Sequence, residues 1–391
     1  MSYKLKKEVI FDLIFFIILF LIIFFRAPCW LIEFPFKEYE FITYERNISK
    51  NFFENLLIIH PNTNALMLWF NLTTGISSMF SFETAKIITK LSTVFIYLFI
   101  IIFIYYSKSL LLISKKSKIF TSLIILLSPP MAAEVWMANE HLRAYFGILS
   151  FFLLFTNFKK QSSKFNNLSY FLIFFSGLCS IYSAALMPVF FIRFVLEKHK
   201  ESLISFITSF SSSIIQFIII ISDYRLIVTD SVRLHFETSF FYNYTYNVIL
   251  KTFFGSQIPK FLFIDSEIYL LKNFNLIVYI LLIFSVLISI FYIIKKKDNL
   301  IYLMSISLLT ISFLVFIGSV QPGHAGGRYG VVTGVILIFI IYRFFLIEKN
   351  YLLKNFFLVL LTFSILIGSI EYSFKNPTPE FLNCSNYNFK I

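Results

Sequence analysis

Charge is what this sequence has least of. Asp, Glu, Lys and Arg together make up 14% of its 391 residues and hydrophobic residues 58%, against about 25% and about 45–50% in an ordinary soluble domain. Too little polar surface remains to cover a water-soluble globule. Cysteine is scarce: Cys29, Cys179 and Cys384 are too few for a disulfide framework. Cys29 and Cys384 share a compartment in the topology below and can pair, or stay free as small apolar residues. The five histidines are scattered, which argues against a metal site built from imidazoles. HExxH, a CxxC pair, a glycine-rich dinucleotide turn and the GxxxxGK[ST] phosphate loop are all missing. So are internal repeats, Gly/Ser linkers and coiled-coil heptads, and a single membrane domain, residues 1–391, is expected.

What is abundant is apolar and aromatic, with 54 phenylalanines. Runs such as 9–25, 274–294 and 329–347 are long enough, or nearly so, to span about 30 Å of hydrocarbon at about 1.5 Å per residue. They recur along the whole chain. The first is therefore not read as a cleaved signal peptide, and Arg26, Pro28 and Trp30 follow it in place of a small-residue cleavage site. The expected class is an all-α integral membrane protein, a polytopic bundle of about ten or eleven transmembrane helices. The net charge of +13 is not a nucleic-acid signal, because the basic residues sit at the ends of apolar spans and no soluble basic domain is present to hold a duplex.

Those basic residues give an orientation. Lys4, Lys6 and Lys7 precede the first span. Further groups are Lys108, Lys115, Lys116 and Lys118; Lys159, Lys160 and Lys164; Arg193, Lys198 and Lys200; Lys295, Lys296 and Lys297; and Arg343, Lys349 and Lys354. With all six groups cytoplasmic, the amino terminus is inside and the carboxyl terminus outside. Residues 26–82 then form a large first outer loop, 223–273 a second, and 371–391 an outer tail.

This arrangement makes a demand. Lys164 and Lys198 share a side, so the chain between them crosses an even number of times. The apolar run 168–192 is too short for two full spans. A hairpin of two short helices, broken around Ser180, Tyr182 and Pro188, satisfies both facts, and broken helices are tolerated at membrane depth where they pack in protein or line a cavity. A second short pair is expected at 119–128 and 142–155, hinged at Pro129 and Pro130. The count is then eleven; one long tilted helix at 168–192 would make it ten.

Polar residues retained in such a chain need a reason, since a charge at mid-bilayer costs about 2.5–3.5 kcal/mol on insertion scales. Glu33, Glu38, Glu40 and Glu45 lie just beyond the first span. An acid at the outer mouth of the bundle suits a general base for a hydroxyl or a ligand for a divalent cation, and a solvated loop face is the plainer reading. Glu134, Asn139 and His141 fall in a compact turn between the second pair of short helices. They can reach one cavity, or the turn is interfacial with Trp136 as its anchor. In 321–330, glycines beside Arg328 allow close approach of backbone to a ligand, and a guanidinium matches phosphate oxygens two at a time. Arg328 is the candidate for holding a lipid phosphate, with His324 and Tyr329 beside it; the alternative is a tight loop with one snorkelling arginine. Gln216, inside 205–222, is expected to hydrogen-bond a neighbouring helix.

Four pieces of the chain resemble a family of uncharacterised bacterial multi-pass proteins found with surface-polysaccharide genes, themselves similar to GT-C-type glycosyltransferases. The first is a span ending in Phe25, Arg26 and Pro28, an acidic outer loop with Glu38 and Glu40, and the Pro-containing amphipathic stretch 60–80. The second is Pro130, Glu134, Val135 and Asn139 before a short helix. The third is Gly177 and Leu178, then Met187, Pro188 and the basic Arg193. The fourth is Gly327, Arg328 and Tyr329 opening a late span. The resemblance covers most of residues 10–345.

It implies a GT-C-like bundle with short, broken helices around a central cavity in a bacterial inner membrane. The implied activity moves a sugar from a polyprenyl-phosphate donor to a glycan or lipid acceptor on the outer face. Glu40 or Glu38 would be the catalytic base, and Arg328, Tyr329, His324, Glu134, Asn139 and His141 would bind substrate. No nucleotide cofactor is expected, a divalent cation is an open question, and the default state is a monomer. Three other readings stay open. A polysaccharide polymerase or ligase would use Arg225 and Arg233 of the second outer loop. A transporter would show inverted repeats and mid-span charges. A non-catalytic relative would keep the fold alone.

Overall fold

The computed structural model describes residues 3–25, 43–45, 47–48, 52–59, 65–127, 139–222, 245–255, 298–317 and 330–371. Its long elements are helices: α1 (Tyr3–Phe25), α2 (Phe52–Leu56), α3 (Leu68–Ser77), α4 (Phe82–Tyr106), α5 (Lys115–Leu127), α6 (Leu142–Leu154), α7 (Ser163–Cys179), α8 (Ile181–Ala185), α9 (Met187–Glu197), α10 (Lys200–Ser222), α11 (Lys251–Phe254), α12 (Asn299–Ile317), α13 (Gly330–Ile347) and α14 (Tyr351–Glu371). Among the described residues there is no β-strand, only two isolated bridges, Ile59 with Leu66 and Ser109 with Thr156.

Local chemistry sets several boundaries. Ser162 Oγ accepts from Phe165 N at the start of α7, and Asp298 Oδ1 accepts from Leu300 N and Ile301 N at the start of α12. Asn350 Oδ1 does the same for Leu352 N in α14. These are N-caps that satisfy orphan amides. Pro188 sits in the first turn of α9, where its missing N–H costs nothing.

Four described helices are long and apolar enough to cross a membrane: Phe82–Tyr106, Lys200–Ser222, Gly330–Ile347 and Tyr351–Ile370. A fifth is added if the bent pair Ser163–Cys179 and Ile181–Glu197 counts as one span. Val9–Ile23, Leu142–Leu154 and Asn299–Phe313 are shorter apolar helices, and the expected span at 274–294 lies outside the described residues. The core centres on α6, whose residues are all buried except Arg143. At 13 residues it is about 20 Å long, too short to cross hydrocarbon alone, and it packs against α4, α7, α8 and α13. Phe152 meets Phe339 of α13 edge-on at 5.0 Å.

One end of the bundle is tied together by polar bonds between its loops. Asp12 of α1 accepts from Tyr105 Oη at 2.7 Å and pairs with Lys115 at 2.6 Å. Lys118 Nζ donates to the carbonyls of Tyr105 and Ser107. Leu110 N donates to Phe155 O, and Asn157 N to Lys108 O. Arg193 donates to the carbonyls of Leu154 and Thr156. Arg343 pairs with Asp298 at 2.7 Å, and the neighbouring Tyr342 meets Phe120 with tilted rings, centroids 4.8 Å apart. The described basic groups at 108–118, 159–164, 193–200 and 343–354 therefore share one end. Asp12 and Asp298 anchor α1 and the start of α12 there too.

The path from Lys164 to Lys198 follows from these contacts. Near the start of α7, Asn166 Nδ2 donates to Phe158 O at 3.0 Å; near the end of α9, Arg193 grips Leu154 and Thr156. Both chain ends thus lie at the basic end. The helices between them bend by 114° at Ser180, whose backbone is extended (φ −153°, ψ 124°). The segment is re-entrant, with its apex away from the basic end. A single tilted helix over 168–192 is ruled out. Short helices also form as α5 and α6, and the hinge expected between them at Pro129 and Pro130 lies outside the described residues.

Candidate functional site

The apex of the re-entrant segment is where buried polar groups gather. Breaking a helix at Ser180 orphans the last carbonyls of α7. Gln216 of α10 serves them: its Nε2 lies 3.1 Å from both Gly177 O and Leu178 O. The same carboxamide binds the backbone of Leu66 at two points, Nε2 to Leu66 O at 2.8 Å and Leu66 N to Oε1 at 3.0 Å. Gln216 thus bonds a neighbouring helix as expected, and a loop segment as well. Ser180 Oγ donates to Arg143 O at 2.6 Å, Ser183 Oγ to Phe146 O at 3.0 Å, and Ser213 Oγ to Ala184 O at 3.1 Å. The apex is joined to the first turns of α6 on one side and to α10 on the other.

Two glycines permit the close approach. A Cβ on Gly177 would lie 2.0 Å from Ser212 Oγ and 2.5 Å from Ser212 Cβ, and one on Gly147 would lie 2.7 Å from Tyr182 Cβ and 3.3 Å from Val332 Cγ2. The contact at Gly147 also brings the opening turn of α13 to the apex.

The predicted first outer loop folds back into this region. Its helix α3 packs on α4 and α7, and Trp69 forms a three-ring cluster with Phe146 and Phe175. Asn71 Nδ2 donates to Leu56 O and Ile58 O, tying α3 to α2. Asn139 is fully buried in a 3-10 turn, Asn139–His141, that leads into α6. Its Nδ2 donates to Thr73 Oγ1 at 2.5 Å. His141, 5% exposed, ends the turn. Of the residues expected to bind substrate, these two are placed, both buried; Glu45, singled out with the acids of the first outer loop, is exposed. Glu38, Glu40, Glu134, His324, Arg328 and Tyr329 lie outside the described residues.

A further feature of this region lies on α4. Lys90, Thr93 and Tyr97 are each 0% exposed and recur at the spacing of one helix face. Tyr97 meets Tyr145 of α6 with ring centroids 4.2 Å apart. Since α4 and α6 run in the same direction, Lys90, about 10 Å back along α4 from Tyr97, comes level with the Asn139–His141 turn. That same i, i+3, i+7 spacing of polar residues in an otherwise apolar span was the signal available in the sequence. Among the described side chains of this layer the ionisable groups are Lys86, Lys90, His141 and Arg143, with Glu83 paired to Lys86 at 2.6 Å. Among the described residues no group of three or more His, Cys, Asp or Glu side chains could hold a metal ion.

Set against known protein families and against characterised proteins, the sequence finds no match in either.

Proposed function

We propose that the chain is a membrane glycosyltransferase that moves a sugar from a polyprenyl-phosphate donor to a glycan or lipid acceptor on the outer face of the membrane. One observation supports this reading most. The described parts of three of the four segments that carry the resemblance come together around the apex. The 60–80 stretch contributes Leu66 and Thr73; the second segment contributes Asn139; the third contributes Gly177 and Leu178. The fourth, residues 327–329, lies outside the described residues, and the helix that follows it in the sequence, α13, brings Val332 to Gly147.

In this reading the basic end faces the cytoplasm, as the positive-inside rule requires, and the apex lies toward the outer leaflet. The expected eleven crossings and outer carboxyl terminus belong to the same proposal. The bond between the anomeric carbon and the phosphate oxygen breaks and its electron pair leaves with the phosphate. The acceptor oxygen bonds the anomeric carbon, and its proton passes to Glu40 or Glu38. Arg328 offsets the charge that develops on the departing phosphate. The test is turnover by the purified protein in lipid vesicles supplied with polyprenyl-phosphate sugars and scored by release of polyprenyl phosphate. The double variant Glu38→Gln, Glu40→Gln is expected to slow transfer by about 10²–10⁴-fold. Unchanged turnover in that variant would remove the base from this pair, and no release from any donor would count against the transferase.

A further inference from the structure

The loop expected outside at residues 26–82 does not stay outside the bundle. Its depth can be read along the helices it touches. Leu66 bonds the carboxamide of Gln216, about 24 Å along α10 from its basic end. Trp69 meets Phe175 and Phe95, about 18 Å along α7 and about 17 Å along α4 from that end. These levels fall within about 30 Å of hydrocarbon. From there α3 climbs to Ser77, and α4 opens at Phe82, about 36 Å from its basic end. Residues 52–59 run down beside α3. A Cβ on Gly75 would lie 3.3 Å from the Phe52 ring, Asn71 Nδ2 donates to Leu56 O and Ile58 O, and Ile59 bridges Leu66 in antiparallel sense. The two limbs make a hairpin that descends toward the basic end.

The outer limb is inside out for a loop in water. Phe53 and Leu57, one turn apart, are 73% and 71% exposed, whereas Asn55 between them is 2% exposed and turns its Nδ2 to Asn47 O at 3.5 Å. Amides that face protein and large apolar side chains that face outward suit hydrocarbon. Leu57 is level with Asn71, two residues from Trp69, so it stands at the depth just measured. Leu91 and Phe95 of α4, also exposed, carry an apolar surface at similar depth. We infer that residues 52–59 and 65–77 form a second re-entrant segment in the leaflet opposite the basic end, and that Phe53 and Leu57 dock on the acyl chains of that leaflet. Depth decides the occupant, because what surrounds a span at this level is lipid. The hairpin then stands between the apex and the acyl chains on this side, with α3 inward and α2 outward. The inference rests on the membrane bundle and not on the transferase.

The experiment reads immersion directly. Full-length protein with Cys29, Cys179 and Cys384 replaced by alanine carries a nitroxide spin label at Phe53→Cys or Leu57→Cys and is reconstituted in phosphatidylcholine vesicles. Leu91→Cys serves as the lipid-facing reference and Lys160→Cys, at the basic end, as the aqueous one. Each label is scored for collision with oxygen, which concentrates among acyl chains, and with a neutral nickel chelate, which stays in water. Labels at 53 and 57 are expected to favour oxygen over nickel as the label at 91 does, with the label at 160 showing the reverse. Nickel that reaches 53 and 57 as it reaches 160 overturns the inference, since the segment would then be bathed in water. Shielding from both reagents also overturns it, since protein, a second copy or another chain, would then cover the face. Phe53→Trp and Leu57→Trp give a second reading through quenching by bromines on the lipid acyl chains, and tryptophans that these lipids fail to quench overturn it as well. Lipid contact at 53 and 57 in a protein with no transferase activity would retain the hairpin and reject the transferase.

Discussion

Gln216 shows what a single amide does in a bundle with a broken helix. It answers the backbone of Leu66 and the orphaned carbonyls of Gly177 and Leu178 together. Replacing it with leucine strands those groups away from water. Gln216→Leu is expected to cost about 1–3 kcal/mol, read as a lower melting temperature in detergent, and an unchanged melt would mean another group serves the break. Gly177 makes a steric prediction beside it. Gly177→Ala forces a methyl against Ser212 at 2.5 Å from its Cβ and is expected to destabilise by about 1–3 kcal/mol. Adding Ser212→Gly should recover much of that loss, as contacting residues couple in a double-mutant cycle; simple additivity would place the strain elsewhere. The sequence marked Gln216 as a helix-bonding residue because an amide in an apolar span has few other uses. It could not name the partners, which are backbone groups exposed by a break 39 residues away for Gly177 and by a loop 150 residues away for Leu66. Lys90 was easy to pass over for a related reason. Eight residues from a span's start, a lysine reads as one that snorkels to the surface, and only the packing of α4 on α6 shows that it points inward.

At the scale of elements, the re-entrant pair was legible from charge and length together. Two basic groups on one side with too few apolar residues between them for two crossings leave little but a short hairpin. Its latch was not legible. Arg193 is 3% exposed and combines the carbonyls of Leu154 and Thr156, the carboxylate of Glu197 at 2.9 Å and the ring of Phe158. In sequence it was simply a basic residue at a helix end. Arg193→Met is expected to destabilise by about 1.5–3 kcal/mol, the range for hydrogen bonds to charged groups, with Glu197 adding little because it is partly exposed. The topology has a direct check. In a protein with its native cysteines removed, Lys160→Cys and Lys198→Cys should react with an impermeant thiol reagent from one face of a vesicle, and Ser81→Cys from the other. Labelling of the first two from opposite faces would contradict the re-entrant path.

For the whole molecule, composition pointed to helices long and apolar enough to cross a membrane, which the described residues form, and the ties from Asp12 to Arg343 gather the described basic groups at one end. The candidate site was legible only as short segments scattered along the chain, because what brings the described parts of three of them together is the bend at Ser180 and the two glycine contacts, neither of which has a sequence period. The account's central claim is that the place they make transfers a sugar from a lipid phosphate. The most direct measurement compares the surface polysaccharide and the lipid-linked sugars of cells with the intact gene, with Glu38→Gln and Glu40→Gln together, and with the gene deleted. The account predicts that one sugar disappears from the glycan and its polyprenyl-phosphate donor accumulates in both altered strains. Glycans and lipid-linked donors that are unchanged on deletion would contradict it.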